Sequence, residues 1–416
     1  MPRPSQVRLP GDSDLGRPAE AIARLVVDRC LGVRSGETVT IETWTHAIPW
    51  ARPFVLEVRR RGAIPTLVVE DEDAFFRSLA LPGARDVPLA ASALAEQSDA
   101  YVYLGGPEAF PRLLGLPPDD LESVIVRHDP AWWRAARRVG LRAARLAIAG
   151  VTETAAARYG VRLEGWRREV IRASLVPPDR LARAAEPIVR GLAGARRVEI
   201  RHPNGTKLTV ELDRRPALVE DGRVDRADRR AGRIWTQIPT GLVAVPLALH
   251  SAQGIWESNR AVYDRFAEPS IALGARFSFA RGRLREFAFD RGGESFGAEY
   301  ARGGRGRDVP GALTFGLNPG IARAPEVGEI AAGAVGLLLG DSRPIGGRNT
   351  SRFSYLTTLA EADVDLDGRP WIVGGRRPHA RRRASPEARG LIRAGRRTRP
   401  AVPAPVPGAG RRSVPR

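Results

Sequence analysis

The stretch AEAIARLVVDRCLGVRSGETVTIET, residues 19–43, decides the fold of the first half of this chain. Its first part repeats apolar residues at helical spacing, and ETVTIET alternates as a β-strand after a turn at Ser35 and Gly36. A second helix, IPWARPFVLEVRRRG, follows and leads into the apolar run IPTLVVE; the strand DAYVYLGG comes later. Helices that alternate with short β-branched runs in this way predict βαβ units and a parallel sheet.

The pattern of apolar residues changes near residue 196, where short strand patterns replace the helical ones. The runs VEIRH, TKLTVELD, LVAVPLAL, ARFSFARG and RLREFAFD have strand length and are separated by turn residues. Asn204-Gly205 and Asp367-Gly368 are hairpin signals. The second half is therefore expected to be a β-rich α+β domain.

Four segments follow from these patterns. We expect a disordered N-terminus at residues 1–18, an α/β domain with a parallel sheet at 19–195, a β-rich α+β domain at 196–375, and a disordered tail rich in Arg and Pro at 376–416. The chain shows no apolar run long enough to cross a bilayer and no apolar leader at its start. A cytoplasmic protein that does not contact a membrane is the expectation.

The net charge of +19 is concentrated in the tail. Thirteen arginines and a single acid, Glu387, lie between Arg376 and Arg416. Only one of the 66 basic residues is a lysine, Lys207, which indicates a coding bias rather than a surface selected for nucleic acid. The body of the protein is thus only mildly basic.

The usual catalytic signatures are missing from the sequence. The single cysteine, Cys30, excludes a disulfide framework and a cysteine zinc site, and lies in an apolar run typical of a protein core. The five histidines do not cluster, and no phosphate-binding loop occurs. The sequence offers no ordinary His/carboxylate metal site and no Ser/Cys–His triad.

An ordered series of segments resembles the thermophilic aminopeptidase T (leucyl aminopeptidase) family of metallopeptidases, whose fold the dihydroxypyridine dioxygenases share. The series begins with LGVRSGETVTIET, and the later segments are GVTETAAARYGV, PNGTKLTVEL, QIPTGLVAVP, FGLNPGI and GGRNTSRFSY. The resemblance runs from about residue 20 to 375. It implies a homodimer and a cleft that in the family holds two divalent metal ions.

The family's metal-ligand positions are not matched by metal-binding side chains. Where the resemblance implies acids and histidines, this sequence has Leu242, Ala312, Gly336, Ser354 and Leu356. No histidine occurs between residues 251 and 378, so a shift of register does not restore one. Aliphatic side chains have no lone pair to donate to a cation. The sequence therefore predicts a degenerate metal site in a retained fold.

The leading hypothesis is a pseudoenzyme of this fold with no metal cofactor, which binds a small molecule or peptide in the retained cleft. Six polar residues in the matched segments are candidates to line that cleft: Thr240, Asn318, Asn349, Ser351, Ser354 and Tyr355. For each of them the alternative is a turn or cap residue that satisfies the backbone.

Two alternatives stay open. The first is an active aminopeptidase, hydrolase or dioxygenase with relocated ligands, which would hold one divalent metal such as Mn, Fe or Mg. The donors for such a site would be His250, Glu257, Glu294, Glu299, Glu326 and Glu329. The second is a tail that binds nucleic acid or an acidic partner, which coding bias makes less favoured.

Overall fold

The computed structural model describes residues 16–79, 81, 90–108, 110–114, 128–264 and 267–377. The predicted disordered ends therefore lie outside the described residues, apart from residues 16–18 and 376–377. Within the described ranges, no helix has the length and apolar character needed to cross a bilayer.

The first half forms a parallel sheet flanked by helices, as predicted. The sheet has the strand order β2-β1-β3-β4-β8, and all its pairings are parallel. Its strands are Thr38–Trp44 (β1), Ile64–Glu70 (β2), Ala100–Leu104 (β3), Arg142–Leu146 (β4) and Trp235–Ile238 (β8). The helices before and between them are Gly16–Leu25 (α1), Ile48–Arg60 (α2), Glu72–Ser78 (α3), Ala90–Glu96 (α4), Pro111–Leu114 (α5) and His128–Val139 (α6). Helices Glu153–Arg158 (α7), Leu163–Ser174 (α8) and Pro178–Ala193 (α9) follow β4.

The amphipathic pattern of residues 19–43 accounts for the packing of this half. Ile22 and Val26, on the apolar side of the first helix, are fully buried in one core with Ile41 of β1 and Phe54 of α2. α1 continues as a π-helical turn, Val26–Cys30, which ends at the loop before β1. Burial of each such side chain stabilises the fold by roughly 1.5–3 kcal/mol.

The second half contains two large antiparallel sheets. A seven-stranded sheet has the order β14-β13-β10-β6-β5-β18-β19, and a five-stranded sheet has the order β17-β16-β15-β9-β7. The strands of the first are Arg197–Arg201 (β5), Lys207–Glu211 (β6), Gln253–Glu257 (β10), Arg276–Ala280 (β13), Arg283–Ala288 (β14), Asp363–Leu366 (β18) and Arg369–Ile372 (β19). Those of the second are Leu218–Glu220 (β7), Leu242–Pro246 (β9), Pro310–Gly316 (β15), Val335–Gly340 (β16) and Ser354–Leu359 (β17). A small pair, Val262–Tyr263 (β11) with Ile271–Ala272 (β12), and the helices Arg226–Arg230 (α10) and Glu294–Arg302 (α11) complete this half.

One apolar core holds the two antiparallel sheets together. It contains buried side chains from both, such as Ile200 and Phe277 of one sheet and Leu313 and Leu337 of the other. The two predicted hairpins are confirmed: Asn204-Gly205 joins β5 to β6, and Asp367-Gly368 joins β18 to β19. The expected fold class, a parallel α/β part followed by a β-rich α+β part, is therefore what the structure has.

Two details differ from the sequence patterns. The run ARLAIAG, residues 144–150, has the length and apolar character of a strand, but β4 ends at Leu146 and Ala147–Gly150 forms a 3₁₀ turn in which Ile148 and Ala149 are buried. β8, from residues 235–238, is the edge strand of the parallel sheet although it lies beyond residue 195. Three residues, Pro239 to Gly241, then connect β8 to β9. The division of the chain at residue 195 stays a prediction.

Candidate functional site

The five positions at which the resemblance implies metal ligands lie on one face of the five-stranded sheet. Leu338 of β16 is directly opposite both Ala312 of β15 and Leu356 of β17. In the next row of the sheet, Thr314 of β15 is opposite Gly336 of β16. Directly opposed residues share a face, and side chains along a strand alternate between faces. By the same register Leu242 and Ser354 belong to this face too.

We call this surface the Thr314 face. It consists of Leu218, Glu220, Leu242, Ala244, Ala312, Thr314, Gly316, Gly336, Leu338, Ser354, Leu356 and Thr358. Its aliphatic and glycine positions carry no side-chain atom that can bind a cation. The opposite side of the same strands supplies buried residues to the core, such as Val243 and Leu337.

Thr314 occupies the space that a side chain at position 336 would need. Its hydroxyl lies only 2.2 Å from where a Cβ on Gly336 would be, and Leu356 Cδ1 lies 3.0 Å from the same point. Thr314 is 5% exposed, and its Oγ1 atom is buried with no hydrogen-bond partner among the described residues. An unpaired buried hydroxyl costs free energy. The packing around Gly336 encloses this atom, and no described residue pairs with it.

One acid belongs to the Thr314 face, and a second lies in the turn at its end. Glu220 of β7 is directly opposite Leu242, and burial raises the pKa of its carboxyl group, as do the charges of Asp228 and Asp221. The 3₁₀ turn Gly328–Ile330 covers one end of the face, with the Glu329 carbonyl oxygen 2.7 Å from a Cβ built on Gly316. Burial, with a smaller contribution from Glu326, raises the pKa of Glu329 to about 7.

The donors named for a relocated metal site are spread over the fold. His250 lies exposed in a turn with a φ of 63°, Glu257 pairs with Arg276 at 3.4 Å, and Glu326 accepts a hydrogen bond from the Tyr159 hydroxyl. Within the described parts of the chain, no three His, Cys, Asp or Glu side chains form a group that could hold a metal ion.

Thr240 and Asn318 meet, but their contacts are with the backbone. The Asn318 side chain is fully buried; its Nδ2 donates to the carbonyl oxygens of Thr240 at 2.7 Å and Ala173 at 3.1 Å, and its Oδ1 accepts from the Gly320 amide at 2.8 Å. Asn318 thus ties α8, the turn before β9 and the loop after β15 together. Thr240 Oγ1 lies 3.4 Å from the Glu220 carbonyl oxygen.

Asn349 and Ser351 anchor the loop before β17. Asn349 Nδ2 lies within 2.6 to 3.2 Å of three carbonyl oxygens, those of Gly306, Val309 and Gly340. Ser351 Oγ donates to the Gly303 carbonyl at 3.0 Å. Both side chains are buried, and these bonds pair their polar atoms with backbone carbonyl oxygens.

Ser354 and Tyr355 are neighbours in β17 and lie on opposite faces. Ser354 is exposed at the rim of the Thr314 face, opposite Gly340. Tyr355 stacks on Phe353 and packs edge-on against Phe296 on the core side, and burial raises the pKa of its hydroxyl. The six candidates therefore do not converge on one pocket, and their role in ligand binding stays a prediction.

Cys30 is not an activated nucleophile. It is buried, as the apolar run predicts, and burial with the nearby charge of Asp221 raises its pKa to about 12. A thiol with such a pKa is protonated at neutral pH. His46 Nε2 lies 3.1 Å from the Ala149 carbonyl oxygen, in keeping with a structural loop histidine.

Sequence reasoning missed Thr314, the central polar residue of this face. The signal was present, because Ala312, Thr314 and Gly316 alternate in the strand ALTFG and share a face. The pattern does not show that the Thr314 hydroxyl lies across the strand ladder over Gly336, since that contact depends on tertiary pairing.

No family model matches the chain, and no curated protein matches it by sequence. Several solved structures do match, including two that superpose over most of this chain. Aminopeptidase T (AmpT) from Thermus thermophilus superposes with a TM-score of 0.67 and 19% identity, over 87% of this chain and 99% of that one. The 2,5-dihydroxypyridine dioxygenase from Pseudomonas putida KT2440 superposes with a TM-score of 0.57 and 14% identity, over 88% and 97%. This chain has the fold shared by these two proteins.

Proposed function

We propose that this chain is an aminopeptidase T-like protein without metal-dependent chemistry, which binds a small molecule or short peptide on the Thr314 face. One observation carries the proposal: all five positions implied as metal ligands fall on a single face that carries no donors at those positions except the Ser354 hydroxyl. Anionic or imidazole ligands must replace part of a cation's hydration shell before the cation can activate water. Glu220 is the one carboxylate among the residues of this face, and a single carboxylate does not supply such a ligand set.

The packing at Gly336 supports the same conclusion independently. A histidine at this position would need the space now filled by the Thr314 hydroxyl and the Leu356 methyl group. The interior of the face has therefore adapted to the missing side chain. A homodimer, which the resemblance implies, is part of the proposal and awaits its own measurement.

The chemistry of the face indicates the kind of ligand. Ligand sites are mostly apolar with a few placed polar groups. Leu242, Leu338 and Leu356 are half-buried and aliphatic, and the Thr314 hydroxyl lies among them without a partner. A ligand with an apolar body and one hydrogen-bonding group matches this arrangement.

The first test is metal content and peptide hydrolysis, with the Thermus protein measured in parallel as a positive control. We expect protein purified without chelators to hold well below one divalent ion per chain. We also expect no EDTA-sensitive release of an N-terminal residue from a leucyl peptide, with or without added Mn²⁺, Zn²⁺ or Co²⁺.

A stoichiometric ion would contradict the proposal and favour relocated ligands. The double variant Glu220→Gln/Glu329→Gln then locates the site, because these are the acid of the Thr314 face and the acid in the turn at its end. Loss of the ion in that variant, and its retention in a Glu257→Gln control on the other sheet, would assign a new metal centre there.

A further inference from the structure

A second concave site, separate from the Thr314 face, has six arginines among its eleven lining residues. It has a volume of about 480 Å³ and lies between the π-helical turn Val26–Cys30, the start of β4 and the segment that leads into α10. Six arginines line it: Arg29, Arg34, Arg142, Arg223, Arg226 and Arg229. The only acid in its lining, Asp225, caps α10 by accepting the amides of Ala227 and Asp228.

Arg142 forms the floor of this arginine cavity and holds its shape. It is 9% exposed, and its guanidinium donates to the carbonyl oxygens of Leu31, Gly32 and Asp99 and to the Glu37 carboxylate. The end of a helix normally presents carbonyl oxygens that repel anions. Here Arg142 donates hydrogen bonds to the carbonyl oxygens of Leu31 and Gly32, which follow the π-helical turn. Because these oxygens are paired with a cation, they repel an anion in the cavity less strongly.

Two further arginines are partly neutralised. Arg29 and Arg223 both pair with the Asp179 carboxylate, and Arg223 also pairs with Asp221 at 3.2 Å. Because Arg29 and Arg223 share the Asp179 carboxylate, an anion that enters the cavity can replace this carboxylate as the partner of one of them.

The remaining three arginines supply free positive charge. In the part of the chain that the structure describes, Arg34, Arg226 and Arg229 make no ion pair, and Arg229 has only a 3.3 Å bond to the Gly140 carbonyl oxygen. Six arginines face four carboxylates in all, those of Glu37, Asp179, Asp221 and Asp225. The cavity therefore carries a surplus of positive charge that nothing in the described fold balances.

We propose that the arginine cavity binds a phosphate-bearing small molecule. The planar guanidinium group recognises phosphate oxygens in a bidentate manner, and several arginines around one concave space favour a multiply charged anion. The volume is that of a small-ligand pocket. Nucleic acid would instead be expected to bind along an extended basic stripe. Because arginine is the default cation of this chain, the argument rests on the convergence of these residues around one cavity.

The π-helical turn adds a second, independent observation. Such turns are rare and occur frequently at functional sites. This one places Arg29 and Cys30 together on the cavity wall, and the Cys30 carbonyl oxygen accepts the Val224 amide from the opposite wall at 3.0 Å. This hydrogen bond joins the π-helical turn to the segment before α10, which are two of the segments that line the cavity.

The test is calorimetric titration of the full chain with inorganic diphosphate, with sodium chloride at equal ionic strength as the blank. The cavity variant is Arg34→Ala/Arg226→Ala/Arg229→Ala, which removes exposed side chains without described ion pairs and should therefore fold. The matched control is Arg396→Ala/Arg397→Ala/Arg399→Ala, which removes the same charge from the tail. Thermal unfolding verifies that both variants are folded.

We expect one saturable diphosphate site per chain, unchanged in the tail control and weakened about tenfold or more in the cavity variant. Diphosphate should also raise the unfolding temperature of the wild type and the tail control, and not that of the cavity variant. No saturable binding, or equal weakening in both variants, would overturn the proposal. The proposal would also be overturned if single-stranded RNA displaced diphosphate from the wild type and bound the cavity variant with the same affinity as the wild type, because the anion site would then lie outside the cavity.

Discussion

At the scale of single residues, two threonines of the same five-stranded sheet have opposite roles. Thr357 Oγ1 accepts a hydrogen bond of 2.9 Å from the indole of Trp256, whereas Thr314 Oγ1 is buried without a partner. The same substitution should therefore change stability in opposite directions. We expect Thr314→Val to raise the free energy of unfolding by about 1 kcal/mol, and Thr357→Val to lower it by about 1–3 kcal/mol.

Chemical denaturation of the two variants measures this difference, and ligand binding gives a second readout. If a ligand uses the Thr314 hydroxyl, Thr314→Val should weaken its binding although the protein is more stable. A loss of stability in Thr314→Val like that of Thr357→Val would mean that the hydroxyl has a partner in solution, and the case for a polar ligand group there would fail.

The raised pKa of Glu329 predicts a pH dependence of stability. The folded protein holds this proton more tightly than the unfolded chain, so the stability it contributes is fully present below pH 4.5 and is lost as the pH rises toward about 7. Glu329→Gln should remove this loss, which amounts to about 3 kcal/mol or less. Denaturation midpoints between pH 4 and 8 test it, with the exposed Glu286→Gln as control; parallel pH profiles for wild type and Glu329→Gln would refute the assignment.

At the scale of elements, close strand pairing makes some glycines indispensable. Gly254 of β10 has a φ of 108°, and a Cβ there would lie 2.1 Å from the Lys207 carbonyl oxygen of β6. Gly346, with a φ of 83°, has nothing within 4 Å of the same position. We expect Gly254→Ala to cost more than about 3 kcal/mol and Gly346→Ala about 1 kcal/mol, because only the first separates paired strands.

Thermal unfolding of both variants distinguishes these costs. If Gly254→Ala proves as mild as Gly346→Ala, β10 must be able to move away from β6, and the seven-stranded sheet would be less tightly paired than described.

Elements with local signals were the ones that the sequence predicted well. The hairpin turns at Asn204-Gly205 and Asp367-Gly368 depend on pairs of adjacent residues, which a sequence pattern reports directly. β8 was missed because WTQI is only four residues long and its partner, β4, lies far back along the chain. Its position in the parallel sheet follows from long-range pairing that periodicity does not report.

The same distinction of range explains the candidate site. The positions without a metal-binding imidazole or carboxylate could be predicted from the sequence, because the type of side chain is a property of each residue alone. The roles of Asn318 and Asn349 were not, since their carbonyl partners come from residues as far away as Ala173 and Gly306. The arginine cavity gave no sequence signal at all, because its six members come from three distant segments in a chain with 66 basic residues.

At the scale of the whole molecule, charge is distributed unevenly. The tail holds much of the net charge of +19 and lies outside the described residues, so the hypothesis that it binds nucleic acid or an acidic partner stays a prediction. The cytoplasmic location is likewise a prediction. The likeness to two proteins named for different chemistries concerns the fold, and function depends on the side chains that each fold carries.

The short connection from β8 to β9 has a mechanical consequence. Only Pro239, Thr240 and Gly241 separate the edge of the parallel sheet from a strand of the Thr314 face, and Asn318 fastens that connection by bonding the Thr240 carbonyl. Such a tether leaves no slack, so a displacement of either sheet must be passed to the other. The distance between these two strand ends is therefore limited by a connection of three residues.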